Sequence, residues 1–497
     1  MSRIACARAC HADASPFLVT CLMLALATPA RAEWGTAAPL SGATGGSSAY
    51  GGPSVGVSAD RSAVMAWRSS AYDVRAAVRD RASGTWSFTL LSTDTCTTVP
   101  AVAMNDAGDA VVAWVGFGYV FARYRPAGGN WGASATLATN TSGSYVAGGA
   151  HAAINNAGDV VVSWIGVNVG VTQYEVHAVV RSKWGAWPST NAFEVAGGPT
   201  DAFGESAIAI DDAGHVASGW VEEYATFDDS PASHHVNVVR AAVRAPGGGW
   251  GAAIDLSSRG SQSGSIHCAA GHPPMPTASA PSFSADPATG QLAVVYFADP
   301  TSYEYKAEDA ACNPTTADSW LRRAEGTVAS PPVGGLDLGT AVGLTTQGGA
   351  PQVSLRGGQV TIAWGESDGN GVRTQFAVGP FGGPLGTTPL ALGYTIAVAM
   401  GGDARGFYAG SKFSSGHFST VGASRLAGGL GDGPTTLSSA AAAPSVAATC
   451  GDYAIAGMIG EDGKIHIAEY PASAPACGVF GDSFESGGLT HWTSHMP

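Results

Sequence analysis

Three features of the sequence predict an all-β fold built from repeated four-stranded units. First, one short segment recurs: AMNDAGDAVVAW at 103–114 returns as AINNAGDVVVSW at 153–164 and as AIDDAGHVASGW at 209–220. Second, a period near 50 residues is typical of solenoids, propellers and other repeat arrays. Third, charged residues make up only 12% of the chain while Gly numbers 69, which suits short buried strands joined by tight turns.

The best-preserved unit predicts four antiparallel strands. Its NDAG turn contains Asn, Asp and Gly, which tolerate the left-handed backbone that tight hairpins need. Four strands with Gly-rich hairpins and a periodic Trp are typical of a β-propeller blade. We predict strands at 101–104, 110–114 and 119–125, and an outer strand within 128–139.

The direct count gives eight such units, and a count of seven stays open because unit five is stretched. Unit one contains the looser copy GVSADRSAVMAW, and the eighth has three strands but no outer one. The missing strand is present at the other end of the chain. EWGTAAPLS at 33–41 matches NWGASATLA at 130–138 and GWGAAIDLS at 249–257. The N-terminal strand therefore closes the ring, which removes exposed sheet edges and places Trp34 like Trp131 and Trp250.

The N-terminus has the pattern of a secretory signal peptide. Arg3 and Arg8 precede an apolar run at 17–27, and Ala30-Arg31-Ala32 is an A-x-A cleavage site. We therefore divide the chain into a signal peptide at 1–32, a β-propeller at 33–471 and a C-terminal tail at 472–497. An exported protein, whether extracellular, periplasmic or attached to the cell surface, is expected.

Composition and motifs exclude several classes of function. The formal net charge of −14 argues against generic nucleic-acid or anionic-membrane binding. No segment after the signal peptide is long and apolar enough for a transmembrane helix. There is no Walker loop, no G-x-S-x-G and no H-E-x-x-H, so we assign no catalytic residues, metal or cofactor. We expect a monomer that binds a glycan or a protein.

Insertions suggest where a ligand binds. In a propeller, the connections between strands two and three and those between blades lie on one face. Three insertions, at 221–235, 259–280 and 298–317, fall there around units four and five, and long loops on a rigid scaffold often bind ligands. The His and carboxylate side chains suit a metal or polar ligand, or are simply solvated; the Tyr side chains suit sugar stacking or local packing. The candidate residues are Glu222, Glu223, Tyr224, Asp228, Asp229, His234, His235, His267, His272, Tyr303 and Tyr305.

Recurring residues elsewhere are better explained by structure. The N-x-A-G-D turns offer too few oxygen ligands for calcium, and a tight hairpin accounts for them. Trp residues that end strand two are expected to pack between blades, and the Arg residues that end strand three repeat at a scaffold position. These residues are Trp67, Trp114, Trp164, Trp220 and Trp364, and Arg79, Arg125, Arg181 and Arg244.

Five cysteines follow the predicted cleavage site, and an exported protein can form disulfides. Cys268 and Cys312 both fall on the insertion-bearing face, so a bridge between them is predicted. Cys450 and Cys477 are predicted to pair on the opposite face. Cys96 has no obvious partner, and we expect it to be buried as a small apolar residue.

The chain resembles a loosely defined group of secreted bacterial β-propeller proteins with G-x-A-x-V-x-W and G-x-W repeats. VFGDSFESGGLTHW at 479–492 is similar to the D-G-F-E-S-G-x-x-x-x-W tail of many exported Gram-negative proteins, with Ser483 in place of Gly. The turns before Trp86, Trp131 and Trp250 share only Gly and Trp with the sialidase S-x-D-x-G-x-T-W box. The resemblance implies export and a fold without assigned chemistry.

Two function hypotheses follow. The first is a non-enzymatic secreted binding or surface protein, with its ligand on the loop-rich face near units four and five. The alternative is a carbohydrate-active hydrolase or lyase with a sialidase-like propeller. Clustered ionisable residues around the axis would favour the enzyme. The first hypothesis predicts small apolar residues there, such as Ala101, Ala103, Ala153 and Ala209.

Overall fold

A computed structural model describes the repeat region of the chain. Every described element is a β-strand or a connection between strands, and no helix that could cross a membrane occurs within the described residues. The residues that the structure describes are 34–44, 52–139, 144–146, 148–168, 173–188, 194–196, 202–229, 232–257, 281–298, 320–333, 336–337, 351–367, 372–390, 395–402, 404–414, 417–427, 431–449 and 453–471.

The strands form eight antiparallel sheets, which we number as blades 1–8 in chain order. In each blade the first strand lies nearest the propeller axis, and the later strands follow it outward in order. Blade 1 contains Ser54–Val57, Ala63–Arg68, Val74–Arg79 and Trp86–Ser92; blade 2 contains Ala101–Met104, Ala110–Gly116, Tyr119–Arg125 and Ala135–Ala138. Blade 3 contains Ser144–Val146 and His151–Ile154, Val160–Asn168, Gln173–Arg181 and Glu194–Ala196; blade 4 contains Ala202–Ile210, Val216–Asp229, Ala232–Arg244 and Ile254–Asp255.

The second half of the ring repeats this pattern. Blade 5 contains Ser282–Asp286, Gln291–Ala298, Trp320–Thr327 and Leu336–Asp337; blade 6 contains Gln352–Arg356, Gln359–Ser367, Val372–Pro380 and Gly386–Leu390. Blade 7 contains Thr395–Met400, Arg405–Ser414, His417–Leu426 and Gly431–Ser438; blade 8 contains Ala441–Ala448, Ala454–Gly460, Lys464–Tyr470 and the N-terminal strand Ala38–Thr44.

This arrangement confirms the predicted β-propeller and settles the blade count at eight. Blade 5, which left seven open, has its own four paired strands despite the long insertion in its sequence. Blade 3 departs from the simple pattern because two short segments, Ser144–Val146 and His151–Ile154, both pair with its second strand. Its sheet therefore has five strands.

The ring closes through the two ends of the chain, as the sequence predicts. Ala38–Thr44 pairs antiparallel with Lys464–Tyr470, so the first described strand is the outer strand of the last blade. Trp34 lies just before it and is 6% exposed. Its ring meets Phe407 of blade 7 and Tyr470 of blade 8 edge-on, with centroid distances of 6.0 and 5.6 Å. The closing segment thus packs into the interface between the last two blades.

A repeated backbone hydrogen bond shows that Trp34 occupies the same position as its counterparts. In each case the Gly after the Trp donates its N–H to the penultimate residue of the third strand. These bonds run from Gly35 to Glu469 O (2.9 Å), from Gly132 to Tyr124 O (2.9 Å) and from Gly251 to Val243 O (2.8 Å).

The hydrophobic core is divided among the interfaces between blades. The Trp at the end of strand two is at most 5% exposed in five blades and packs against the preceding blade. Trp114 of blade 2, for example, lies with Val64 and Ala66 of blade 1. The predicted inter-blade role of these residues is confirmed for Trp67, Trp114, Trp164, Trp220 and Trp364.

The repeated arginines also join neighbouring blades. Arg79 pairs with Glu469 of blade 8 at 3.4 Å, and the Arg181 guanidinium lies 4.2 Å from the ring centroid of Tyr124 in blade 2. These contacts place both side chains between sheets, away from the propeller axis.

Replacing Trp34 with Ala should strongly destabilise the protein, because it removes a buried ring between blades 7 and 8. We expect a loss of about 3–5 kcal/mol in the free energy of unfolding, measured by urea denaturation. The matched control is Trp184→Ala, whose ring is 83% exposed and should cost less than about 0.5 kcal/mol. Equal losses would contradict the packing described for Trp34.

Deleting residues 33–41 should leave the outer edge of blade 8 unpaired. An unpaired strand edge promotes pairing between molecules, so we expect a lower Tm and concentration-dependent aggregation by light scattering. A deletion variant that melts like the parent and stays monodisperse would show that the N-terminal strand does not close the ring.

Candidate functional site

The first strands of all eight blades surround a central cavity of about 420 Å³. Most of the lining residues have apolar side chains, but Asn, Asp, Ser and Arg side chains and backbone groups also face the cavity. Ala103, Ala153 and Ala209 line it as predicted, whereas Ala101 is not among the lining residues. The expected apolar residues are thus present around the axis, but many of them, such as Ile208, Met400 and Phe283, are larger than the small residues that we predicted.

Ionisable residues at the cavity stand at one mouth. This mouth belongs to the turn face, defined by the turns between strands one and two and between strands three and four. Arg356 of blade 6 pairs with Asp106 of blade 2, on the opposite side of the ring. Asp286 accepts hydrogen bonds from the N–H groups of Gly357 (2.8 Å) and Ala288 (3.1 Å). The Arg356–Asp106 pair and the Gly357–Asp286 hydrogen bond join different blades around this mouth, whereas the Ala288–Asp286 bond lies within blade 5.

The N-x-A-G-D turns also connect blades on the turn face. Asn105 accepts the Asp109 N–H at 2.9 Å, which closes its own hairpin. Its amide donates to Asn155 O of blade 3 at 3.0 Å, and the Asn155 amide donates to Asp211 O of blade 4 at 2.9 Å. The hairpin interpretation is confirmed, and a chain of amide contacts between blades is added to it.

Asp109 is a buried carboxylate at the centre of this network. It accepts hydrogen bonds from Lys183 Nζ (2.7 Å), Ala127 N–H (2.9 Å) and the Asn105 amide (3.1 Å). Burial opposes ionisation of Asp109, but these donors outweigh it and hold its pKa below the usual range. The negative charge of Asp109 therefore pairs with Lys183 of blade 3, and this ion pair stabilises the interface between blades 2 and 3.

The opposite face, which we call the loop face, carries the connections between strands two and three and between blades. Its most prominent element is a hairpin of blade 4. We predicted an insertion loop at 221–235, but the strands continue through it: Val216–Asp229 pairs with Ala232–Arg244 up to the register pair Asp229↔Ala232. The repeated sequence motif ends at Trp220. The residues after it are largely polar and do not alternate with apolar ones, so nothing in the sequence indicated that the strand continues.

This hairpin brings most of the predicted ligand-binding residues of unit four together. Glu223 lies opposite Asn237, and Tyr224 occupies a break in the register. The remaining pairs near the tip are His235 with Thr226, His234 with Phe227, and Asp228 with Ser233.

Glu222, at the base of the hairpin, is only 5% exposed. Its carboxylate accepts hydrogen bonds from Arg240 Nη1 at 2.8 Å and from the Trp220 indole at 3.2 Å. Arg240 also pairs with Asp255 on the outer strand at 3.0 Å. Glu222 therefore links three strands of blade 4 at the base of the hairpin.

The other predicted site residues lie outside the described part of the chain: His267, His272, Tyr303, Tyr305, Cys268, Cys312, Cys450 and Cys477. Cys96 is described, buried and unpaired, as expected. Its thiol lies 3.0 Å from Thr98 O, and burial raises its pKa to about 11. Within the described residues, no group of three or more His, Cys, Asp or Glu is suited to hold a metal ion.

Sequence reasoning missed two aromatic residues on the loop face. Tyr72 and Phe117 stand at the turns between strands two and three of blades 1 and 2, and their side chains are 44% and 66% exposed. Both have left-handed backbones, with φ of 67° and 49°. The available signal was the residue type: these turn positions normally hold Gly or Asn.

Comparison with known proteins found only distant structural similarity. No family model matches the chain, and no curated protein matches it. Similar solved structures include a polysaccharide lyase of family PL25, an ulvan lyase, with 10% identity and a TM-score of 0.45, covering 74% of this chain and 90% of that one. The WD40 domain of SCAP from fission yeast has 9% identity and a TM-score of 0.42, covering 88% and 98%. The β-propeller domain of the Trilobed protease from Pyrococcus furiosus has 8% identity and a TM-score of 0.36, covering 78% and 96%. At these identities and TM-scores we draw no conclusion about this chain from the likeness.

Replacing Asp109 with Asn should cost about 1.5–3 kcal/mol at pH 7, the usual value for hydrogen bonds to a charged group. Because the folded pKa of Asp109 is lowered, its contribution is present above the unfolded value near 3.9 and is lost as the pH falls through the folded value. The gap between parent and variant should therefore close below about pH 4.

Urea unfolding from pH 7 to pH 2.5 measures this gap. The control is Glu461→Gln at an exposed turn, which should change stability by less than about 0.5 kcal/mol throughout. A gap for Asp109→Asn that does not depend on pH would show that the ionised carboxylate is not the stabilising species.

Proposed function

We propose that this chain is an exported, non-enzymatic binding protein whose ligand, a glycan or a protein, is contacted on the loop face around blade 4. The observation that carries the proposal is the long hairpin of that blade. In blade 2 the second strand ends two residues after its Trp, whereas in blade 4 it continues for nine residues, from Trp220 to Asp229. The extra seven or so residues extend the hairpin by roughly 23 Å at 3.3 Å per residue.

A paired hairpin suits recognition better than an irregular loop. Its backbone is ordered before a ligand arrives, which lowers the entropic cost of binding. Residues 223–235 contain three carboxylates and two His but no Lys or Arg. This composition favours a ligand that offers hydrogen-bond donors or positive charge.

The central cavity supports the non-enzymatic side of the proposal. A catalytic centre needs ionisable groups directed at a reacting atom. The charged residues at this mouth instead contact each other or backbone N–H groups of neighbouring blades. Export is supported by the basic start, the apolar run and the A-x-A site in residues 1–32.

Shortening the hairpin tests this proposal. Replacing residues 224–236 with Asn-Gly joins Glu223 to Asn237, which already face each other, through a turn that suits a two-residue hairpin. The Glu222–Arg240 pair is retained. Parent and variant are screened against a glycan and polysaccharide panel for binding and turnover together.

We expect at least one panel member to bind the parent without turnover and to bind the shortened variant with an at least tenfold weaker Kd, at an unchanged Tm. Turnover of any panel member by the parent would overturn the non-enzymatic assignment in favour of a hydrolase or lyase. If the shortened variant bound every panel member as tightly as the parent does, the ligand site would not lie on blade 4.

A further inference from the structure

We propose that Tyr72, Phe117 and Tyr119 form an aromatic platform that binds a neutral polysaccharide on the loop face of blades 1 and 2. The platform lies on different blades from the long hairpin and does not depend on it. Its three rings come from the turn of blade 1, the turn of blade 2 and the start of the third strand of blade 2.

The backbone at two of these positions indicates that the rings are there for a reason other than folding. On the turn face, most residues with left-handed backbones are glycines, with φ of 96° at Gly108 and 86° at Gly158 and Gly214. The exceptions there are Arg61 and Ala404, with φ of 67° and 66°, and neither is aromatic. On the loop face the same region of φ is occupied by Tyr72 and Phe117. An aromatic residue is strained there, and such strain is concentrated at functional sites.

The connection between blades 1 and 2 holds the two turns beside each other. Cys96 N–H donates to Tyr72 O at 2.7 Å, and Thr97 N–H donates to Val115 O at 2.8 Å. Tyr72 and Val115 therefore lie on either side of one extended segment. Their backbones are separated by about two strand spacings, roughly 10 Å, and Phe117 follows Val115 by two residues.

Arg68 makes the blade 1 side of the platform rigid. Its side chain is buried, and Nη1 donates to Cys96 O at 3.3 Å, within the connecting segment. The guanidinium also lies 5.1 Å from the ring centroid of Tyr72. The buried Arg68 thus fixes both the connecting segment and the Tyr72 ring. Ligand binding therefore costs little further conformational entropy at this side of the platform.

A column of stacked rings supports the blade 2 side. Trp114, buried between blades 1 and 2, stacks on Phe121 with a centroid distance of 5.6 Å. Phe121 in turn stacks on Tyr119 at 5.9 Å, with an interplanar angle of 20°. Tyr119 ends this column at the loop face, on the side of blade 2 that packs against blade 1.

The surroundings of the rings favour a sugar chain over a protein. The segment between Tyr72 and Phe117 exposes Asp94 and Thr97, which can exchange hydrogen bonds with sugar hydroxyls. The C–H face of a pyranose packs well on the electron-rich face of an aromatic ring. Protein interfaces are instead built around a continuous apolar centre. The net charge of −14 disfavours polyanionic chains, which leaves a neutral polysaccharide.

Affinity gel electrophoresis tests the platform, with four neutral polysaccharides in separate native gels: hydroxyethyl cellulose, laminarin, galactomannan and xyloglucan. Alginate serves as the anionic counterpart. We expect at least one neutral polysaccharide to retard the parent and alginate to leave it unaffected. Retardation should fall at least tenfold in the double variant Tyr72→Asn, Phe117→Asn.

The substitutions are chosen so that misfolding cannot imitate loss of binding. Asn tolerates a left-handed backbone, so the Tm of the double variant should equal that of the parent or exceed it by about 1–2 °C. The conservative variant Phe117→Tyr should keep retardation, and Phe117→Leu should lose it because Leu has no flat ring. Trp184→Ala removes an exposed aromatic ring from the turn face and should leave retardation unchanged.

Three results would overturn the platform: no retardation of the parent by any neutral polysaccharide, undiminished retardation of the double variant, or full retardation of Phe117→Leu. The last would indicate general apolar contact, as expected for a protein partner. The variant with the shortened blade 4 hairpin should still be retarded, so this proposal and the blade 4 proposal fail separately.

Discussion

Pairing between the N-terminal strand and the last blade is the contact on which the rest of this structure depends. Seven blades carry all their strands in chain order, but blade 8 borrows Ala38–Thr44 from the start of the chain. The N-terminal segment is held in blade 8 as the matching segments are held in blades 2 and 4. Trp34 is buried there, and the Gly35 N–H donates to Glu469 O. A closed ring keeps every sheet edge short and every inner strand at a fixed distance from the axis.

The two faces of the ring differ in what their polar residues do. On the turn face, side chains that resembled ligands in sequence are engaged between blades: Asn105 contacts blade 3, Asn155 contacts blade 4, and Asp109 pairs with Lys183. Arg356 even reaches the opposite side of the axis. The loop face carries the projecting hairpin and the exposed aromatic rings. The two binding elements that we propose therefore lie on the face opposite to the amide and Asp109–Lys183 contacts that join blades.

This division bears on how the fold could serve a binding protein. Exposed side chains of the loop face can change without disturbing the contacts between Asn105, Asn155, Asp109 and Lys183, because those contacts lie on the turn face. The blade 4 hairpin and the proposed Tyr72–Phe117 platform lie on separate blades of the same closed ring. A ligand that contacted both would gain from their fixed separation, because no further ordering of the scaffold would be needed.

The amino-acid pattern alone determined the blades, their strands, the inter-blade Trp residues and the closing strand. Each blade is encoded locally, by alternating apolar residues, hairpin turns and one Trp, so its structure can be derived from neighbouring residues. The extension of the blade 4 hairpin could not be derived this way, because polar residues beyond Trp220 lack the apolar alternation of a half-buried strand.

Only the tertiary structure decided which distant groups meet. Arg356 and Asp106 are 250 residues apart and face each other because blades 6 and 2 are opposite in an eight-bladed ring. Glu222, one of the predicted ligand-binding residues, is held by Arg240 and Trp220 in its own blade. The platform that we propose was equally hidden, since Tyr72 and Phe117 belong to different blades, and the segment at Cys96 and Thr97 links the turns that hold them. Contacts set by ring closure and blade order cannot be derived from any single repeat.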